Sequence, residues 1–155
     1  MPEDGLPLRN MVRPAGRSAG RAYNEISQAL DEWIEAVNGR AVDAVGALYM
    51  PGAVLLSTFA PQPLASAAER RDYFVNFLAR KNLKASVDEC HITTLGDDAG
   101  EASGLYTFRF EDESGAPQSV KARFTFVYAR QPEGDWLIAA HHSSMVPANG
   151  NATAV

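Results

Sequence analysis

Trp136-Leu137-Ile138-Ala139-Ala140-His141-His142-Ser143-Ser144, preceded by Lys121-Ala122-Arg123-Phe124-Thr125-Phe126-Val127-Tyr128-Ala129-Arg130, carries most of the architectural information in this chain. Both runs are rich in aromatic and β-branched residues, and Gln131-Pro132-Glu133-Gly134-Asp135 supplies a turn between them. They read as a long antiparallel hairpin. Successive side chains on a strand point to opposite faces, so regular alternation puts Trp136, Ile138, Ala140, His142 and Ser144 on one face and Leu137, Ala139, His141 and Ser143 on the other. His142, in line with apolar neighbours, is the leading site candidate. A lone histidine on an apolar face does not name a reaction.

Upstream of this hairpin the pattern stays that of strands. Leu105-Tyr106-Thr107-Phe108-Arg109-Phe110 alternates, with Tyr106, Phe108 and Phe110 on one face. Residues 85–95 alternate more loosely, and Gly96-Asp97-Asp98-Ala99-Gly100 and Glu113-Ser114-Gly115-Ala116-Pro117 punctuate the meander. Before residue 85 the period becomes helical. Ile26, Leu30, Trp33, Ile34 and Val37 fall on one helix face, with Asn38-Gly39 closing the helix through a left-handed glycine cap. A second, shorter helix carries Val42, Val45, Leu48 and Tyr49 and stops at Pro51-Gly52, and a short strand spans 53–59. Ser66-Ala67-Ala68-Glu69 has capping-box form and opens a helix whose Tyr73, Phe74, Phe77 and Leu78 make an aromatic lid for a sheet. Helices first and antiparallel strands after make an α+β domain, three N-terminal helices against a strongly bent, mostly antiparallel sheet.

At 155 residues the chain is one domain in length, and its 46% hydrophobic and 21% charged residues are those of a soluble globular protein. The expected organisation is a mobile N-terminal arm over 1–20, a folded domain over 21–147 and a tail over 148–155. A net charge of −5 with scattered Lys and Arg offers no nucleic-acid footprint, and no apolar run reaches the roughly 18 residues of a membrane span. Without a secretory h-region the expected compartment is the cytoplasm. Cys90 is the one cysteine, which excludes an internal disulfide and reads as a small buried hydrophobe. His141 and His142 project to opposite faces of a regular strand and cannot share a metal ion, so no metal and no cofactor is expected. No P-loop, dinucleotide-binding glycine pattern or nucleophile elbow is present.

These residues resemble the nuclear transport factor 2-like superfamily of cone-shaped folds, over roughly residues 21–147. More narrowly, Ala122-Arg123-Phe124-Thr125-Phe126-Val127-Tyr128 followed by the run from Trp136 to Pro147 is similar to bacterial relatives of the association domain of calcium/calmodulin-dependent protein kinase II, and Ala47-Leu48-Tyr49-Met50-Pro51-Gly52-Ala53-Val54-Leu55 matches the superfamily's helix-to-strand corner. The resemblance implies a pocket between the concave sheet face and the long helix, and homodimers or larger homo-oligomers formed through the outer sheet face. In the kinase domain that pocket holds arginines and accepts small carboxylates. Arg123 matches one pocket arginine and His142 the second histidine of the final-strand motif, while Ser143 and Tyr106 stand at or near positions of further arginines.

The expected activity is therefore binding of a small polar or carboxylate-bearing apolar ligand in a pocket lined by Trp33, Tyr106, Phe108, Arg123 and His142, with Arg123 meeting the anion. The alternative is a cofactor-independent isomerase, cyclase or dehydratase acting on a polyketide-like or aromatic substrate, with His142 as general acid/base and Tyr106 as hydrogen-bond donor. Against it, the strand after the helical corner, Leu55-Leu56-Ser57-Thr58-Phe59, lacks the aspartate base of ketosteroid isomerases. A dehydratase arrangement would draw on His91, His142 and Tyr106. A third reading is a pure assembly module.

Overall fold

The computed structural model describes residues 8–9 and 16–148. Its elements are β1 (Leu8–Arg9), α1 (Gly16–Asn38), α2 (Val42–Gly46), β2 (Tyr49–Leu56), α3 (Ala67–Leu78), β3 (Lys81–Thr94), β4 (Ala99–Glu111), β5 (Pro117–Arg130) and β6 (Trp136–Met145). They build one six-stranded sheet in the order β1-β3-β4-β5-β6-β2, antiparallel through its centre and parallel at both edges, where β1 meets β3 and β2 meets β6. The α+β cone expected from the sequence is the fold observed. No helix among the described residues is long and apolar enough to cross a membrane.

Helix α1 packs against β3, β4 and β6, burying Ala22, Ile26, Ala29, Leu30, Trp33 and Val37 along its inward stripe. It starts at Gly16, inside the stretch expected to be an arm, and Leu8–Arg9 pairs with Glu89 and Cys90. The rest of 1–15, and 149–155 of the expected tail, lie outside the described residues. The helix ends differently from the glycine-cap expectation. The left-handed residue is Arg40 (φ 55°), and the Asn38 side chain closes the end by bonding Ala85 N–H at 2.7 Å and Ala85 C=O at 3.0 Å. One amide thus serves as a strand partner for β3 and fixes the α1 angle to the sheet.

The second correction falls at the corner. Helix α2 stops at Gly46, and Tyr49 already belongs to β2, opposite Ile138. Pro51-Gly52 therefore lies inside a strand, in an irregularity between Tyr49 and Val54, where proline's missing N–H costs no ladder bond. The irregularity exposes carbonyls, and Arg70 of α3 takes them. Its buried guanidinium donates to the carbonyls of Ala53, Met50 (3.0 Å) and Pro51 (3.2 Å). The phase that aims Arg70 inward is set by the Ser66 cap, whose hydroxyl accepts from Glu69 N–H at 3.1 Å and donates to the Glu69 carboxylate at 2.9 Å. The lid of Phe74, Phe77 and Leu78 is buried on the sheet as its periodicity requires.

Candidate functional site

The decisive local event is a one-residue bulge in β6. Val127 pairs with Ala140 and Tyr128 with Ile138, so Ala139 is an extra residue against β5. An inserted residue sends every later side chain to the opposite face. Trp136 and Ile138 point inward as alternation demands, but beyond the bulge His141 and Ser143 are buried and His142 is exposed. Of the expected pocket residues, Trp33, Tyr106 and Phe108 line one interior cavity, whereas Arg123 and His142 stand on the outer sheet face. Arg123 is exposed and donates to Ser144 Oγ from Nε (3.2 Å) and an η-nitrogen (3.1 Å). The expected convergence of guanidinium and imidazole inside the cone does not occur. His91 is also outside, 3.2 Å from Glu89. Among the described residues no group of three His, Cys, Asp or Glu side chains could hold a metal ion.

His141 takes the interior place instead. Its ring stacks on Phe126 at 3.8 Å between centroids and meets Trp33 edge-on at 5.4 Å. Both nitrogens are hydrogen-bonded, Nδ1 to the Tyr49 hydroxyl (2.9 Å) and Nε2 to the Tyr106 hydroxyl (3.2 Å). Donor bookkeeping orders this cluster. The Trp33 indole can only donate, and it gives its N–H to Tyr49 oxygen at 3.1 Å. Tyr106 gives its proton to Ser143 Oγ, so its oxygen receives Nε2–H, and bare Nδ1 accepts from Tyr49. Ser143 is bonded in turn to the Thr58 hydroxyl. Donor to acceptor, one chain therefore runs from Trp33 through Tyr49, His141 and Tyr106 to Ser143, and it ends in the Ser143–Thr58 hydroxyl pair, in which either oxygen can donate.

That chain holds only while His141 is neutral. A proton on Nδ1 would make Tyr49 oxygen accept twice and leave its own O–H without an acceptor. Burial, reinforced by repulsion from His142, lowers the His141 pKa to about 3. Burial likewise keeps the Tyr106 and Tyr49 hydroxyls protonated by raising both well above the usual phenol range. At neutral pH the cluster presents hydrogen bonds and no charge.

The cavity at the end of this chain is lined by Trp33, Leu55, Ser57, Thr58, Tyr106, Phe108, His141 and Ser143, with Tyr73, Phe74 and Phe77 of α3 as its roof. It encloses about 10 Å³, the space of a single water. No arginine reaches it, so an anion would meet no cation there. On the other side of Tyr73 and Phe77 an open cleft of about 430 Å³ is bounded by Phe59, Pro61, Leu64 and Arg80. Sequence reasoning missed His141 because nothing in Ala139-Ala140 announces a bulge. It missed Thr58 because the apolar run extends the expected strand through residue 59, whereas β2 ends at Leu56 and 57–66 is a loop.

Comparison with known proteins places this geometry. The model of the calcium/calmodulin-dependent protein kinase II association domain family matches residues 22–147. The chain belongs to that family. Rabbit calcium/calmodulin-dependent protein kinase type II subunit delta is 28% identical to this association domain over 129 residues, 79% of the chain and 24% of the kinase subunit, so the chain spans about a quarter of that relative's length. A solved structure from Xanthomonas campestris, described as a candidate association domain of the same kinase type, is 34% identical, with a TM-score of 0.75 over 88% of this chain and 93% of that one. A nuclear transport factor 2-like superfamily protein from Salmonella enterica shares the fold at 15% identity, with a TM-score of 0.76 over 87% and 98% of the two chains.

Proposed function

We propose that this association domain binds a small, uncharged, hydrogen-bonding molecule at the inner end of the cone, in the cavity closed by Thr58. The observation that carries this reading is where the buried chain ends. Its first five groups sit on α1 and the sheet, and only the last, Thr58, comes from a loop. Thr58 Oγ occupies the place where the oxygen of a phenol, alcohol or ketone would meet Ser143, with Phe108, Phe77 and Tyr73 offering rings to an apolar body. Carboxylate capture has no support inside the cone, because Arg123 is on the outer face. Turnover has little, because an imidazole whose conjugate acid forms only near pH 3 is a weak base at neutral pH.

Phenol and benzoate, titrated in parallel and followed by amide NMR shifts and melting temperature, test this. Phenol at about a hundred times its Kd should stabilise the domain by about 2.7 kcal/mol. Tyr106→Phe or Ser143→Ala should weaken it tenfold or more. Benzoate binding that matches phenol's and vanishes in Arg123→Ala overturns the reading, as does phenol binding indifferent to Tyr106→Phe.

A second reading, self-association through the outer sheet face, rests on a different observation. Cross-strand partners there form mixed rows, Leu105-Arg123-Ser144, then Ser103-Thr125-His142-Leu56, then Glu101-Val127-Ala140-Val54, which present apolar and small polar side chains with both charge signs. Such a face is complementary to a copy of itself related by a two-fold axis. Light scattering on a sizing column should give a mass above 16.7 kDa for the chain and a monomer for Val127→Asp with unchanged circular dichroism.

A further inference from the structure

We infer that Phe59, latched by Arg80, is the door of the interior cavity, and so determines the size of molecule that reaches Ser143 and Tyr106. This rests on reading the cavity as a ligand site, and its test is separable from that reading.

The inner cavity and the outer cleft share Tyr73 and Phe77 as walls, and the loop carrying Thr58 and Phe59 runs between them. Thr58 faces in, bonded to Ser143, and Phe59 faces the cleft. The Phe59 ring stacks on Phe77 at 5.9 Å and meets Phe110 edge-on at 6.4 Å. The Arg80 guanidinium lies 4.4 Å from the Phe59 centroid, 5.0 Å from Phe110 and 5.8 Å from Phe77. The loop is anchored behind this point by the reciprocal Leu55–Leu64 backbone pair, at 2.9 Å in both directions. Pro61 and Pro63 within it have no N–H to donate. Residues 57–63 therefore form a span pinned at its base, whose tip is held by the Thr58–Ser143 hydroxyl pair, by the Tyr73 hydroxyl against Ser57 and the Phe59 backbone, and by the Arg80 cation–π cluster.

The latch is not fully satisfied when shut. Arg80 Nε is buried with no hydrogen-bond partner, and among the described residues no ion pair to Arg80 is found. A buried N–H without an acceptor raises the free energy of the closed state relative to one in which water reaches it. Swinging Phe59 outward hydrates Arg80, frees Ser143 and joins the two spaces into a volume of small-molecule size. The charge at the entrance is mixed, since Glu69 and Asp72 also border the cleft. The door is thus assigned a steric role, with no selection by charge.

Thiol labelling reads the opening with no ligand present. In a Cys90→Ala background, Ser143→Cys is treated with the uncharged reagent 4,4′-dithiodipyridine. Phe59→Ala should speed the reaction at least tenfold, Arg80→Met should do so without altering any ring, and Ile26→Ala, a core truncation beside Gly100 at the far end of β4, should leave the rate unchanged. No acceleration in Phe59→Ala and Arg80→Met, or equal acceleration in Ile26→Ala, overturns the door. Faster labelling with no phenol binding keeps the door and removes the ligand reading. Phenol binding with labelling indifferent to Phe59 removes the door alone.

Discussion

His141 and His142 are chemically identical neighbours with opposite fates, one buried and one exposed, and titration singles out the buried one. The His141 pKa is about 3 in the fold and about 6.5 in the unfolded chain, so between these values the unfolded state binds the proton and the folded state does not. Stability from this group is complete above pH 6.5 and declines as pH falls through that window, by about 1.4 kcal/mol per unit. Carboxylates held low, such as Glu111 and Asp112, act only below their ordinary range, so pH 6.5 to 5 isolates the histidine. Chemical denaturation over that interval should show the slope in the natural chain and lose it in His141→Gln. His141→Ala should cost about 2–4 kcal/mol through cavity and orphaned hydroxyls, and His142→Ala well under 1 kcal/mol.

Among the elements, α3 does more than roof the core. Its capped first turn aims Arg70 at the carbonyls released by the β2 irregularity, so the helix and the edge strand hold each other. Arg70→Met should lower stability by about 2–4 kcal/mol, since charge-assisted bonds to carbonyls are lost and the acceptors stay buried. Ser66→Ala should cost about 1 kcal/mol. The β3–β4 pair has its own constraint. A Cβ on Gly104 would come within 1.9 Å of Glu89 carbonyl oxygen, beside the bulge between Val87 and Glu89. Gly104→Ala should therefore destabilise by several kcal/mol or block folding, measured by urea melts.

For the whole molecule, the two proposed roles fall on opposite faces of the sheet, ligand binding on the inner one and self-association on the outer one. Arg123 stands on the outer one. Arg123→Glu should change monomer stability by less than about 0.5 kcal/mol while lowering the self-association constant, read by sedimentation across protein concentrations. The cone itself was legible in the residues. Amphipathic spacing in Ile26, Leu30, Trp33 and Val37, the Ser66 box and the alternation through Tyr106, Phe108 and Phe110 each reflect a local period that the backbone must obey. So was the inward placement of Trp33, Tyr106 and Phe108 in the candidate site, because they lie where an unbroken period holds. What the tertiary structure alone decided is the handing of the interior to His141 and Ser143, the capture of Met50, Pro51 and Ala53 by Arg70, and the closing of the cavity by Thr58 and Phe59. Each depends on a bulge or a loop, where pairing with a distant strand, and not the neighbouring residue, sets which way a side chain faces.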